Sequence, residues 1–356
     1  MWLLFEAGVK YRGKIYFSSM CINGLFSYDV TTDKTSLLGV FEKERIREFL
    51  HTRAFLYQNE MWLIPRQADN IAVVNLDTLR IKYFEIPDRD KFEGKYAYID
   101  GIRDGDILYL IPVYANSILK INMKDRECSA FCKADFFPEL EMRGGYVYNG
   151  TLNVMNSEGR IGLQVCTATG ECLYKEKPAK KPFYQSAVQT GEDFWIIPFG
   201  TDIIRRQSVT DVESYREIKL ACGPIRVYRG IDYGNEVIFF PNQKYRRFLW
   251  INKYKEEVFY TEPVPDGDTY SFSYEVCPID SDEGSWAASD GGTIFEFLND
   301  RQYKTFHAEL SEDLRKNLIN YYKGNEILTQ FFRDSVKESK PMFSLQDLIC
   351  SVTGCE

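Results

Sequence analysis

One apolar segment recurs seven times along the chain at nearly constant spacing. Each copy is a short run of apolar residues that ends at a proline, a serine or an asparagine. The closing residues are Ser18, Pro65, Pro112, Asn156, Pro198, Pro241 and Ser289. Successive closing residues are 42 to 48 residues apart. A period of this length is typical of an array in which each repeat is one supersecondary unit packed on its neighbours.

Each repeat can be divided into four short β-strands. In the second repeat these are residues 53–57, 60–65, 71–76 and 80–86, which are rich in β-branched and aromatic residues. In six repeats a glycine-containing turn, such as Asp104-Gly105-Asp106, separates the first strand from the second. In four repeats a proline closes the second strand, where a residue without a backbone N–H is tolerated. Four-stranded units of this period predict the blades of a β-propeller.

Two segments carry a resemblance to known repeat families. Residues 25–32, Leu-Phe-Ser-Tyr-Asp-Val-Thr-Thr, resemble the third strand and turn of a kelch or YVTN blade, and Gly144-Gly145-Tyr146 resembles the kelch double glycine. The chain is therefore similar to the broad β-propeller class that includes kelch, WD40 and YVTN proteins, with no specific family matched. The resemblance implies an all-β, seven-bladed β-propeller over residues 1–310, and it implies no activity.

How the ring closes remains open at this stage. Residues 2–40 and 270–307 each contain a full set of four strands. Closure by packing between the first and last sheets, or by the C-terminal tail, is therefore expected, and a strand exchange from residues 2–6 is the alternative. The charged connection at residues 41–52 is predicted to contain a short helix.

The pattern changes after residue 310. Ser311 is a candidate N-cap, followed by apolar residues at helical spacing from Leu314 to Tyr322. Two more helical runs are predicted at 327–336 and 344–352. Residues 311–356 are therefore expected to form a short α-helical extension. These helices either seal the propeller or offer amphipathic faces to a protein partner.

Charge and cysteine content limit the environment of the protein. The net charge is −8 and the pI is about 5.2, so neither a nucleic-acid partner nor an anionic membrane is expected. Nine cysteines occur without a CxxC pair, which favours reduced thiols and a cytoplasmic location. No stretch approaches the roughly 20 apolar residues that a membrane span needs.

Catalytic motifs are absent from the sequence. His51 and His307 are the two histidines, and no GxSxG, P-loop, GxGxxG or HExxH motif occurs. Neither a metal site nor a cofactor is expected. Whether the protein is an enzyme stays open, but the sequence favours a protein without catalytic activity.

Binding residues are expected where the loops between second and third strands meet the connections between blades. Arginine, amide and tyrosine side chains in these loops suit a carboxylate, a phosphate or a sugar. The predicted channel-mouth residues are Arg53, Arg66, Tyr96, Asn116, Arg143, Tyr184, Asp202, Arg226, Tyr245 and Arg246.

Two functions of different classes follow from these observations. The first is a binding or scaffold protein that recognises a protein partner, or a small anionic or glycan-like ligand, at the channel mouth. In this hypothesis the partner binds the propeller face or the helical tail. The alternative is a propeller enzyme that acts on a carbohydrate or a related polar substrate.

Overall fold

In the computed structural model, β-strands make up more than half of the described residues. The described residues are 5–20, 22–92, 95–135, 137–174, 184–211, 214–241, 247–264, 276–289, 291–309 and 311–321. Within these ranges lie 28 strands and one α-helix. No helix in this part of the chain has the length and apolar character needed to cross a bilayer.

The strands are grouped four to a sheet. Those of sheets one to four are β1 (Phe5–Tyr11), β2 (Lys14–Ser19), β3 (Gly24–Asp29), β4 (Lys34–Val40), β5 (His51–Tyr57), β6 (Glu60–Pro65), β7 (Asn70–Asn75), β8 (Ile81–Glu85), β9 (Tyr98–Asp104), β10 (Ile107–Pro112), β11 (Ser117–Asn122), β12 (Glu127–Lys133), β13 (Met142–Tyr148), β14 (Thr151–Asn156), β15 (Ile161–Cys166) and β16 (Cys172–Tyr174). Those of sheets five to seven are β17 (Tyr184–Thr190), β18 (Asp193–Thr201), β19 (Ile203–Ser208), β20 (Tyr215–Lys219), β21 (Ile225–Tyr233), β22 (Glu236–Pro241), β23 (Leu249–Asn252), β24 (Val258–Tyr260), β25 (Val276–Ser281), β26 (Ser285–Ser289), β27 (Thr293–Phe297) and β28 (Tyr303–His307). Single turns of 3-10 helix occur at Arg89–Phe92, Phe137–Leu140 and Asn299–Arg301, and the helix α1 spans Glu312–Tyr321.

Within each blade the four strands form an antiparallel meander in chain order, and pairing of β1 with β25 and of β18 with β21 joins two pairs of blades into longer sheets. The first strand of a sheet is the innermost, because residues of β5, β9, β17, β21 and β25 line one central channel. The predicted seven-bladed β-propeller is confirmed. One end of the ring, the connection face, bears the connections between blades. The other end, the turn face, bears the turns between first and second strands.

The core consists of seven apolar clusters, one between each pair of adjacent blades. Alternate residues of a second strand enter different clusters: Trp62 packs toward blade three, and Leu63 packs toward blade one. This follows from the period of two along a strand, since both faces of every blade are covered. The near-continuous apolar runs seen in the sequence are therefore second strands buried on both faces.

The first strands converge on the channel at a ring of small residues. The strand registers place these residues at equivalent positions: Gly8, Ala54, Gly101, Gly145, Ala187, Gly230 and Pro278. A Cβ added at Gly145 would lie 2.1 Å from the carbonyl oxygen of Asn153. A Cβ at Gly101 would lie 2.8 Å from the ring of Phe55 in the neighbouring blade. Small residues are therefore required where the blades approach one another most closely.

A register shift recurs near the start of the first strand. It skips one residue in six blades: Glu6, Thr52, Ile99, Arg143, Gln185 and Tyr228. A bulge of this kind bends the strand and redirects the side chains beside it. Several of the skipped residues line a small cavity in the channel.

The ring closes without strand exchange within the described residues. Strand β1 stays in the first blade and pairs in parallel with β25 of the last, through Val9 with Asp280 and Lys10 with Ser281. Helix α1 packs over the same seam, where Leu314 and Leu318 join the cluster between blades seven and one. Ser311 caps the helix by accepting a hydrogen bond from the Leu314 N–H at 3.2 Å, as predicted. The helical runs predicted at 327–336 and 344–352 lie outside the described residues.

The predicted helix at residues 41–52 is wrong. This connection is an irregular loop held by side-chain hydrogen bonds. Asn23 donates to the backbone carbonyls of Phe41 and Glu44, and the Glu44 carboxylate accepts from the N–H groups of Asp69 and Asn70. These long-range bonds satisfy backbone groups that a helix would have paired locally.

Substitution Leu318→Ala should weaken the protein by about 2–5 kcal/mol, because the side chain is fully buried in the seam cluster. Urea denaturation would measure this loss. Lys316→Ala, on the exposed side of the same helix, is the control and should change the free energy of unfolding by less than about 0.5 kcal/mol. Equal stability of the two variants would show that the helix does not seal the seam.

Candidate functional site

A buried carboxylate joins three blades across the channel. The two oxygens of Asp100 in β9 accept from different guanidiniums, Arg53 of β5 at 3.1 Å and Arg229 of β21 at 2.5 Å. Arg229 also donates to Ser186 Oγ at 3.2 Å and to the carbonyl of Ile99 at 3.0 Å. We call Arg53, Asp100, Ser186 and Arg229 the channel network.

The network keeps Asp100 ionised. Burial by itself would raise the pKa of Asp100, but Arg229, Arg53 and the N–H of Gly101 outweigh it and hold the pKa below its usual value. The Asp100 side chain is 5% exposed and that of Arg229 is 12% exposed. If either partner were removed, the other would remain as a charge with little access to water. Breaking this ion pair is therefore expected to destabilise the folded protein.

The network lies between two cavities of different size. On its connection-face side is a cavity of about 30 Å³ lined by Glu6, His51 and Arg66. On its turn-face side is a cavity of about 360 Å³ lined by Arg53, Asp100 and many residues of the first strands. Arg229 lines both cavities, so the network divides the channel.

Cationic and aromatic side chains cover one sector of the connection face. The Arg66 guanidinium stacks between Phe49 and Tyr96, 4.7 Å and 4.4 Å from the two ring centroids. Tyr114 lies beside Tyr96 in the same blade, and its backbone N–H donates to the Tyr96 carbonyl at 3.2 Å. Arg143, at the bulge of β13, lies close enough to Tyr114 to interact with it electrostatically. We call Phe49, Arg66, Tyr96, Tyr114 and Arg143 the arginine–tyrosine surface.

The polar atoms of this surface are incompletely paired. The Nε atoms of Arg66 and Arg143 are buried and have no hydrogen-bond partner, and no carboxylate in the described residues forms an ion pair with either guanidinium. Burial lowers the pKa of Arg143, against the opposing charge of Glu141. The Oδ1 atom of Asn116, nearby in the third blade, is likewise buried without a partner. A ligand that accepts hydrogen bonds would satisfy the two arginine Nε donors, whereas the Asn116 oxygen needs a donor.

The structure brings four of the predicted binding residues together, namely Arg66, Tyr96, Asn116 and Arg143, in blades two to four. Arg53 lies inside the channel. Tyr184 is buried beneath the Arg205 guanidinium, 4.8 Å from its ring centroid, and its pKa is raised to about 12 by burial. Arg226 is exposed over Phe199, and Asp202 accepts through its backbone carbonyl from Leu220. Tyr245 and Arg246 lie outside the described residues.

Sequence reasoning missed Asp100 and Arg229. Both occupy the position directly before the small residue of a first strand, as do Arg53 and Ser186. The signal was present as a charged residue followed by Gly or Ala at repeat spacing. This pattern becomes visible only when the first strands of the seven blades are superposed residue by residue. That superposition requires the positions of the bulges, which the sequence does not show.

His51 and Glu6 are buried titratable groups of the smaller cavity. The His51 ring is fully buried and contacts Phe41 edge-on at 5.0 Å between centroids, and neither of its nitrogens has a hydrogen-bond partner among the described residues. Its Nδ1 lies 3.9 Å from the Glu6 carboxylate. Burial lowers the pKa of His51 to about 3 and outweighs this distant carboxylate, so the ring is neutral.

Comparison with known proteins supports the fold and nothing finer. No protein-family model matches the sequence, and no curated protein is significantly similar to it. Among solved structures, PorZ, a surface component of the type-IX secretion system of Porphyromonas gingivalis, is similar with a TM-score of 0.60 and 10% identity, over 87% of this chain and 39% of PorZ. The chain thus spans less than half of that protein.

Two further similar structures are known in complexes. KlAtg21, solved with the coiled coil of AgAtg16, has a TM-score of 0.58 and 9% identity, over 87% of this chain and 100% of KlAtg21. A chain of the Mitotic Checkpoint Complex has a TM-score of 0.55 and 6% identity, over 85% and 87% of the two chains. These neighbours are β-propellers, as this chain is.

Substitution Asp100→Asn should destabilise the protein by about 3–5 kcal/mol, because two guanidiniums then lose their shared carboxylate in a buried position. Urea denaturation at neutral pH would measure the loss. Asp104→Asn, at the exposed end of the same strand, is the matched control and should be nearly neutral. If both variants unfold at the same urea concentration, the channel network does not hold the blades together.

Acidification should destabilise the protein through His51. The unfolded chain binds a proton near pH 6.5 and the folded protein only near pH 3, so folding stability falls as the pH drops below 6.5. Between pH 7.5 and 5.0, wild type should lose about 2 kcal/mol more than His51→Leu. Urea denaturation at both pH values tests this, with His307→Gln, at the exposed second histidine, as the control. Identical pH dependence in wild type and His51→Leu would contradict the assignment.

Proposed function

We propose that this protein is a non-catalytic binding propeller that recognises an acidic segment of a protein partner on its connection face. The observation that carries the proposal is the arginine–tyrosine surface. It presents two half-buried guanidiniums, those of Arg66 and Arg143, with which no carboxylate of the described residues forms an ion pair, although the charge of Glu141 acts on Arg143. An unsatisfied buried donor costs about 1–3 kcal/mol, and an anionic acceptor would recover that energy on binding.

The aromatic rings of the surface favour a peptide over a small ion. Phe49, Tyr96 and Tyr114 extend the surface from the first connection across the third blade. Tyr114 is 48% exposed, which is unusual for a large apolar ring, and the Lys95 ammonium lies 5.4 Å from its centroid. Exposed tyrosine beside arginine is the composition of protein-binding hot spots. Together, the three rings offer several contacts to an extended peptide.

The arginines are held in place before any ligand binds. The Arg66 guanidinium rests in the corner formed by two edge-on rings, Phe49 and Tyr96, so these contacts restrict its side chain before a ligand binds. The surface is also rigid at its base, since the N–H of Ala97 donates to the carbonyl of Arg66 at 2.6 Å. Preorganised guanidiniums bind carboxylate and phosphate groups through paired hydrogen bonds.

The solved neighbour KlAtg21 shows that a chain of this fold forms a complex with a protein segment, the coiled coil of AgAtg16. This supports a binding role for the fold class and says nothing about the partner of this chain. A cytoplasmic location remains part of the proposal. A role for the C-terminal helices in recruiting a partner is a separate hypothesis, because α1 is engaged at the blade seam.

Fluorescence anisotropy with degenerate ten-residue peptides tests the proposal. Peptides carrying Glu or phosphoserine should bind more tightly than the same peptides carrying Gln or Ser. Arg66→Ala and Arg143→Ala should each weaken binding about tenfold or more, because a hydrogen bond to a charged group contributes about 1.5–3 kcal/mol. Affinity should also fall with added salt.

Arg80→Ala is the control, since it removes an exposed arginine between β7 and β8 at the other end of the blade. It should leave peptide affinity unchanged. Equal binding of acidic and neutral peptides, or full affinity in both Arg66→Ala and Arg143→Ala, would refute the proposal.

A further inference from the structure

The cavity at the turn face has the dimensions of a ligand site. Its volume of about 360 Å³ falls within the range of known small-molecule sites. Its lining includes Gly101, Gly145 and Gly230, the small residues at which the first strands approach their neighbours most closely. The channel network closes its inner end, so a ligand would enter from the turn face alone.

The inner end of this cavity presents an incompletely used guanidinium. Within the described chain, Arg53 makes one hydrogen bond, from Nη1 to Asp100 Oδ1, and its other N–H groups donate to no protein atom. The Arg53 side chain is 31% exposed, and its guanidinium lies 4.6 Å from the centroid of the Phe55 ring. Asp100 and the ring fix its orientation. A carboxylate entering the cavity would find a positioned guanidinium edge.

The cavity walls carry acceptors that disfavour a multiply charged anion. Asp280 and Asp232 line the wall toward the mouth, with side chains 34% and 43% exposed, and Arg103 lines it as well. Asp232 is paired with the Lys253 ammonium, so Asp280 is the more available of the two carboxylates. Asp280 accepts from the Leu56 N–H at 2.8 Å, and its distance to Arg103 is a long 3.9 Å. Partly exposed carboxylates attract hydroxyl donors and repel additional negative charge.

We infer that this cavity binds a small hydroxylated monocarboxylate of the sugar-acid class, with its carboxylate on Arg53 and its hydroxyl groups toward Asp280. The apolar wall formed by Phe55, Ile102 and Ile279 accommodates the carbon skeleton. The site is distinct from the arginine–tyrosine surface, which lies on the opposite face. Neither site depends on the other being occupied.

Isothermal titration calorimetry with D-gluconate and D-glucuronate tests this inference, with D-glucose and inorganic phosphate as the comparison ligands. At least one sugar acid should bind, and more tightly than either comparison ligand. Arg53→Gln should weaken that binding at least tenfold, and Arg53→Lys, which keeps the charge and loses the planar fork, should have intermediate affinity. Arg12→Gln, an exposed arginine on the same face, should bind as wild type does.

A second variant separates loss of binding from loss of folding. Gln189 is exposed at the cavity mouth and does not contact the channel network, so Gln189→Trp should narrow the entrance and reduce affinity at an unchanged unfolding midpoint. Absence of binding by both sugar acids, equal affinity for D-glucose, or full affinity in Arg53→Gln would overturn the inference.

Discussion

Convergence of seven first strands on one axis is the constraint on which the rest of the molecule depends. At the closest approach there is no space for a Cβ at Gly145, where it would lie 2.1 Å from the carbonyl oxygen of Asn153 in the neighbouring strand. The strands satisfy this constraint with a ring of small residues and, in six blades, with a bulge just before it. The bulge changes the direction of the side chains beside it. As a result, the charged residues that stand directly before the small residues reach across the channel.

This geometry places a buried ion pair where the fold is most crowded. Asp100 and Arg229 come from blades three and six, and the hydrogen bond between them ties together parts of the ring that share no apolar cluster. Apolar packing acts only between adjacent blades, since each of the seven clusters covers one interface. The network therefore adds a connection across the ring, and helix α1 reinforces the one interface where the two ends of the array meet.

The same division of the channel gives its two ends different chemistry. On the connection face, Arg66 lies against two aromatic rings and forms no ion pair within the described residues, whereas Arg45, Arg47 and Arg89 pair with Asp69. We propose that this end binds an acidic chain. The turn-face cavity mixes Arg53 with Asp232 and Asp280 and is suited to a small polar molecule with one charge. A propeller with two chemically distinct ends can hold a small ligand and a protein segment at once, because each site is built on a different end of the same rigid strands.

The sequence by itself determined the architecture, because the repeat period, the turn glycines and the prolines that close second strands report local backbone requirements. The sequence also identified Ser311 as the N-cap, because this preference depends on a hydrogen bond within the first helical turn. Only the tertiary structure decided the sites. Asp100 lies 129 residues before Arg229, and Arg66 meets Tyr96 from a different blade. The loop at residues 41–52 likewise follows contacts to distant segments instead of its helical composition. Repeat periodicity specifies how each blade folds, whereas the side chains that meet in the channel depend on bulge positions and on how the ring is closed.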